Sequence, residues 1–496
     1  MSVLPPENIA KNTTYLTVAL VVQKILSFFF FLFIARTLGN EGTGEYVAAF
    51  SLASIFGVFI DLGLGQVLIR ELARRREKSA DYLSNILTIK LFLSMVVFAA
   101  LLSVIYVLQW FGQGHPPLSL VILAGAVMII DSFALTATSI FRGWQNLWFE
   151  SVVIVLNKIF ILSLGVILLY FWPSSFIVAL SILIGSIMSI LILFYFIKWR
   201  LHLSWRLRLT RDIVIELKRL ALPFALANIF AAVYAYSDSV LLSILQGNQA
   251  VGLYSVAAKT MNAFQFIPSA FMAAVFPAMS SYYRNTPQKL GQLLEQSLRY
   301  LLIISAPLAV GLFILADEFV MSLGTDYQSA ALAVRILMPS LIFVFLSFPL
   351  GSLLNASNHQ HWQTALIGFS MAVNVGLNLV LIPRFSYFGA SWSWFATNVV
   401  ALMIGFWLAR RVIDYQFWPF CVSLGKVILS VGLMAWFTIM TRPLLPLVPV
   451  VLFSGLIYLI ILLILRELTF VDIKYFVNLF RKPTVADAVL PPLTEV

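Results

Sequence analysis

An all-α protein that crosses a membrane about fourteen times is the fold class this sequence predicts, on three observations. First, 61% of its 496 residues are hydrophobic and only 11% are charged, a balance that places it outside the water-soluble globular class. Second, the apolar residues come in continuous runs of about 20, the length of helix that crosses a hydrocarbon core, whereas a membrane barrel would alternate apolar and polar residues. Third, two distant turn sequences nearly coincide: "GNEGTGEY" at 39–46 and "GNQAVGLY" at 247–254. Gly39, Asn40, Gly44 and Tyr46 match Gly247, Asn248, Gly252 and Tyr254 at one offset of 208 residues. Gly and Asn tolerate left-handed backbone, so shared turn chemistry would explain part of the match. The order of the apolar runs decides in favour of a duplication.

Those runs fall at 14–35, 46–69, 85–108, 118–141, 151–172 and 174–197. After a polar stretch a second six follow, at 222–245, 252–279, 298–316, 330–354, 362–382 and 389–409, and a last pair at 417–440 and 445–465. In each set of six the repeated turn joins the first span to the second. The expected organisation is an N-terminal lobe (1–200), a cytoplasmic amphipathic linker (201–221), a C-terminal lobe (222–412), an extra helix pair (413–466) and a cytoplasmic tail (467–496). Six spans return each half to the side on which it began, so the lobes are expected to be related by a pseudo-two-fold axis along the membrane normal.

Charge placement orients the chain. Arg70, Arg74, Arg75, Arg76 and Lys78 follow the second span; Lys198, Arg200, Arg206, Arg208, Arg211, Lys218 and Arg219 lie between the sixth and seventh; Arg284, Lys289, Arg410, Arg411, Arg481 and Lys482 follow the eighth, twelfth and fourteenth. All these connections share one side, which the positive-inside rule makes the cytoplasm; the other side offers little beyond Arg36, Arg384 and Arg442. Both termini are therefore expected in the cytoplasm of a multi-pass protein of the cytoplasmic (inner) membrane. The net charge of +11 is spent on this pattern, which leaves no basic domain for nucleic acid.

The linker "SWRLRLTRDIVIELKRLALPF" interleaves Trp205, Leu207, Leu209, Ile213, Ile215 and Leu217 with basic residues. A helix lying in the interface and a plain solvated connection both fit it. The start "MSVLPPENIAKN" lacks a small-residue cleavage pattern and reads as the approach to an uncleaved first helix. The tail "KPTVADAVLPPLTEV" is expected to be disordered. A single cysteine, Cys421, excludes an internal disulfide and a cysteine-based metal site. No Walker-type glycine loop, metal spacing or nucleophile constellation occurs, and no loop is long enough to hold a catalytic domain, so a transporter without metal or cofactor is expected, not an enzyme.

Several stretches together resemble a known family: "LGNEGTGEY", "DLGLGQVLIRELARRRE", "SIFRGWQNLWFES", the aspartate in "YAYSDSVLLSIL", "VGLYSVAAKT" and "GSLLNASNHQHWQ". They are similar to the polysaccharide-export branch of the multidrug/oligosaccharidyl-lipid/polysaccharide exporter superfamily, with the Wzx-type flippases of lipid-linked oligosaccharides the best match. The resemblance covers nearly the whole chain, and its motifs are specific in combination. It implies two six-helix lobes around a V-shaped cavity. It also implies a flippase that moves polyprenyl (undecaprenyl) diphosphate-linked oligosaccharide for O-antigen or exopolysaccharide synthesis by alternating access, without ATP hydrolysis. The implied partners are that lipid-linked glycan, the bilayer and other membrane proteins of polysaccharide assembly. A proton or sodium gradient would drive the cycle, and nothing in the sequence selects the ion. A cation-coupled multidrug exporter and a lipid II flippase are the alternatives; the first tends to place an acidic residue where this chain has Lys24 in its first span, and the second also calls for a cationic cavity.

Ionisable residues at membrane depth face a cavity or a partner, because burial in hydrocarbon is costly. Lys24, Lys259 and Asp238 are the candidate substrate-binding residues, with lysines suited to a diphosphate. Asp238 and Lys259 flank the second turn at about equal depth on antiparallel helices, so they are expected to pair, either permanently or until substrate or a coupling cation parts them. Asp61 is expected to pair with a nearby arginine such as Arg70 or to mark a gate. Lys90, Asp131 and Lys158 are expected to form one structural network. Arg335, close in sequence to Asp326, reads as a rim ion pair. Lys426, outside the repeat, carries little weight. Pro223, Pro268, Pro277, Pro307, Pro339 and Pro349 are expected to kink the second-half helices. His359 and His361 read as interfacial residues.

Overall fold

The computed structural model describes residues 6–110, 115–200, 206–415 and 417–469. The chain is helical nearly throughout, and no strand occurs among the described residues. Its helices are α1 (Pro6–Asp61), α2 (Leu64–Arg74), α3 (Ser79–Trp110), α4 (Leu118–Gly143), α5 (Leu147–Phe171), α6 (Ser175–Arg200), α7 (Arg211–Gln246) and α8 (Asn248–Phe264). They continue with α9 (Phe266–Asn285), α10 (Pro287–Ile314), α11 (Ala316–Met321), α12 (Ala330–Leu337), α13 (Ser340–Ala356), α14 (Gln360–Val412), α15 (Phe417–Thr441) and α16 (Leu447–Ile464).

Among the described residues twelve helical segments are long and apolar enough to cross a membrane. Two of them hold two crossings each, because α1 breaks at Gly39 and α14 at Ser386, where the backbone leaves helical geometry. That makes fourteen crossings, as the apolar runs predict. Proline accounts for two further breaks. The eighth span divides into α8 and α9 at Gln265, just before Pro268, and the tenth divides into α12 and α13 at Pro339; each ring lacks an N–H and crowds the carbonyl four residues back. Pro223, Pro277, Pro307 and Pro349 are carried inside helices.

Two compact units are present. The first comprises 1–259 and 371–390, the second 260–370 and 391–496. In the first, α1 packs on α4, α5 and α7, and α4 packs on α2 and α6. A core of Leu68, Leu72, Leu83, Ile86, Ile140 and Phe141 lies where α2, α3 and α4 converge. In the second unit, α10 is central, packed on α9, α13 and α15, with α16 on α15. There the carboxylate of Glu467 receives Arg299 at 2.7 Å and Lys426 at 3.4 Å, which ties the last helix pair to α10. Lys426 therefore has a structural partner that its position outside the repeat did not suggest.

The connection between the halves divides in two, a non-helical, largely exposed stretch followed by the first turns of α7. Residues 206–210 are non-helical, and α7 begins at Arg211. The backbone N–H groups of Arg206, Arg208 and Thr210 donate to Ser84 Oγ (3.3 Å), Thr88 Oγ1 (3.0 Å) and Asn85 Oδ1 (2.6 Å) on α3. The alternation Arg-Leu-Arg-Leu has a period of two, which suits an extended strap and not a helix. Trp205 and the tail from residue 470 lie outside the described residues.

Candidate functional site

The intramembrane charges of the first unit separate into three groups. In the first, Lys90 is fully buried, and its Nζ donates to Asp61 Oδ1 at 2.5 Å and to the Ser132 carbonyl at 2.9 Å. Asp61 thus pairs with Lys90 and not with Arg70, which lies 3.8 Å from Glu71 instead. The cause is the break after Asp61, where Leu62 and Gly63 take positive φ of 44° and 77° and α2 leaves in a new direction. A buried ammonium with two oxygens around it is neutralised and immobile. This group holds α1, α3 and α4 together.

The second group is Asp131, Lys158 and Lys259. Asp131 accepts a hydrogen bond from Ser186 and lies within electrostatic reach of Lys158. Lys158 in turn lies within reach of Lys259. The expected network of Lys90, Asp131 and Lys158 is therefore split, since Asp131 and Ser132 are helix neighbours about 100° apart in azimuth and serve different partners. Asp131 lies at the surface of the helix bundle, and both lysines are partly covered by it. Lys90 and Lys426 form salt bridges, whereas Lys24, Lys158 and Lys259 form none among the described residues. Two lysines therefore stand beside a single carboxylate. Lys24 on α1 is also exposed.

The third group surrounds Asp238, which is 1% exposed. Its Oδ2 accepts the Tyr254 hydroxyl at 2.6 Å, and its Oδ1 accepts Asn378 Nδ2. Asn374 also faces the carboxylate, and its Oδ1 accepts Ser237 Oγ at 3.2 Å and Asn378 Nδ2 at 3.1 Å. Asn374 Nδ2 and Asn378 Oδ1 are buried without a hydrogen bond. The expected Asp238–Lys259 pair does not form. Equal depth sets height only; Tyr254 and Lys259 are five residues apart, about 140° around α8, and Tyr254 takes the face toward Asp238.

Arg335 does form an ion pair, with Asp317 on α11 and not with Asp326, and Arg442 joins Asp317 and Glu318. This network belongs to the second unit. The quoted motifs also acquire physical roles. In "RGWQNLWFE" Arg142 makes a bidentate bond to the buried Glu150 at 2.6–3.0 Å, closing the turn between α4 and α5. In "SNHQHW" Asn358 takes φ of 63°, and His359 stacks near Trp362 at 4.5 Å between ring centroids.

Ser186, Asn374 and Asn378 are not among the candidates the sequence suggests, and Tyr254 stands out there only as part of the repeated turn. A signal was present for two of them: Asn374 and Asn378 are four residues apart within an apolar span, and amides at such depth need partners as charges do.

Comparison with known proteins places this geometry. The family described as "Polysaccharide biosynthesis protein" matches residues 9–283, more than half the chain. The chain belongs to that family. A second family, MatE, matches residues 223–380. Among curated relatives of this family member, a "Putative O-antigen transporter" of Shigella flexneri is 22% identical over 82% of this chain and 98% of its own length. A "Probable flippase AglR" of Haloferax volcanii is 26% identical over 51% of this chain and 53% of its own. Among solved structures, "Lipid II flippase MurJ, inward closed conformation" superposes with a TM-score of 0.74 at 15% identity, over 94% of this chain and 99% of that one. The shared fold is that of a multi-pass membrane transporter.

Proposed function

We propose that this polysaccharide biosynthesis family member is a flippase, not an enzyme, that moves a polyprenyl diphosphate-linked oligosaccharide across the cytoplasmic membrane by alternating access. The observation that carries the reading is the group of Lys158, Lys259 and Asp131 inside membrane-spanning helices: two lysines within electrostatic reach of each other beside one carboxylate. A diphosphate presents several anionic oxygens that two neighbouring ammoniums hold together, and their mutual repulsion falls when it binds. Asp131 offsets part of that charge while the site is free, so substrate competes with a weak internal anion and is released again. The names of two curated relatives, an O-antigen transporter and a glycan biosynthesis flippase, support a glycan-bearing substrate. The distribution of Arg and Lys supports an orientation with both termini in the cytoplasm.

Asp238 supports coupling to a cation. Its carboxylate, two asparagine amides, Tyr254 and Ser237 form an oxygen-rich set of the kind hard cations prefer. Sodium bound by this set and a proton taken up by the buried carboxylate are the two coupling ions it supports.

The test is flipping of a lipid diphosphate oligosaccharide in proteoliposomes. Lys158→Ala and Lys259→Ala are expected to lose flipping while remaining folded and inserted, and a sodium or proton gradient is expected to accelerate wild type but not Asp238→Asn. Wild-type flipping in both lysine variants would make these residues structural. Efflux of cationic dyes in place of flipping would favour the drug-exporter alternative, and selective flipping of lipid II the other. Acceleration by a pH gradient alone would select the proton.

A further inference from the structure

The repeated turns do more than resemble each other: they touch, reciprocally, within the first unit. A Cβ built on Gly44 would overlap the carbonyl oxygen of Asn248 and stand 2.7 Å from its carbonyl carbon and 2.9 Å from Gly252 N. A Cβ built on Gly252 would overlap the carbonyl oxygen of Asn40 and stand 2.6 Å from its carbon and 3.0 Å from its Cα. Each contact maps onto the other under the offset of 208 residues. The preceding glycines match as well. Gly39 has φ 67° and ψ −171°, and Gly247 has φ 86° and ψ 172°, a region open to glycine alone. Four glycines, two in each half, therefore set the same break twice and bring the two breaks backbone to backbone. Flanking residues are sealed: Thr43 and Val251, equivalent under the offset, are both 0% exposed.

We propose that this glycine clasp is the gate at the end of the molecule opposite the basic loops, closed in this structure and opened once per transport cycle. The proposal rests on the transport reading, since alternating access requires one end to close while the other is open. The contact is suited to that duty. Small residues let two backbones meet at a distance where dispersion and Cα–H···O contacts act, with no long side chains to disentangle. Any side chain added at either glycine would wedge both turns apart, because the two contacts are reciprocal and open together.

The test uses the full chain with Cys421→Ser and two kinds of readout. Thr43→Cys or Val251→Cys is labelled with a membrane-impermeant maleimide. Gly44→Val and Gly252→Val are each expected to raise labelling of either reporter several-fold, whereas Gly311→Val, where a Cβ meets open space, is expected to leave it unchanged. Separately, Glu41→Cys and Gln249→Cys, exposed and equivalent in the two turns, are joined by a short bis-maleimide; the uncrosslinked protein is expected to flip substrate and the cross-linked protein to stop. Full-rate flipping after cross-linking, or unchanged labelling in both valine variants, overturns the clasp as a gate. If wild type itself does not flip the glycolipid, the transport reading fails while the labelling still reports whether the turns part.

Discussion

Lys90 and Lys259 are the same residue type at membrane depth in the same compact unit, and their surroundings are opposite. Lys90 is enclosed, with a carboxylate at 2.5 Å and a carbonyl at 2.9 Å. Lys259 is only partly buried, and its charged neighbour is another lysine. Depth alone, which singles out both in a sequence, does not separate the charge that fastens helices from the charge that awaits a ligand. The sign of the neighbouring charge does.

The largest expected effect falls on the enclosed pair. Asp61→Ala or Lys90→Ala leaves one buried charge without its partner and should cost about 3–5 kcal/mol of stability, read as a lower unfolding midpoint in detergent. The double substitution Asp61→Leu with Lys90→Met should recover most of that loss, because it removes both charges and keeps the volume. No recovery would mean that the pair does more than hold helices.

An intermediate effect, on transport and not on stability, is expected at the open site. Lys158→Gln and Lys259→Gln should each lower the flipping rate about tenfold, roughly 1.4 kcal/mol in the barrier, with unfolding midpoints close to wild type. If Lys259→Gln destabilised the protein as much as Lys90→Ala, the contrast between the two lysines would collapse. The smallest effect is expected at the half-exposed pair of Arg335 and Asp317, where Arg335→Ala should cost about 0–1 kcal/mol, and less in high salt.

The fold was legible because hydrocarbon thickness fixes run length: fourteen apolar runs became fourteen crossings, and even the breaks at Gly39, Pro268 and Pro339 carry a sequence signal. The site was legible only as a set of charges. Their pairings depend on azimuth and on contacts between helices distant in sequence, such as Asp61 with Lys90 or Asp238 with Asn378, 140 residues away. Spacing around a turn gives a depth, which is why Lys259 was an attractive but mistaken partner for Asp238. Composition left the connection open between helix and solvated chain, and the period decides it locally: the two-residue alternation at 206–209 is extended chain, and helix begins at Arg211.

The reciprocity of the glycine clasp has a consequence for ancestry. A patch that is its own complement is what a homodimer of half-length chains would use to pair about a two-fold axis. The present chain reads as such a dimer made permanent by the connection between its halves. Joining two copies into one polypeptide frees them from identity. The positions equivalent to Asp238 and Lys259 are Phe30 and Ser51, so the charges reside in one half only, while the glycines at the contact are the same in both.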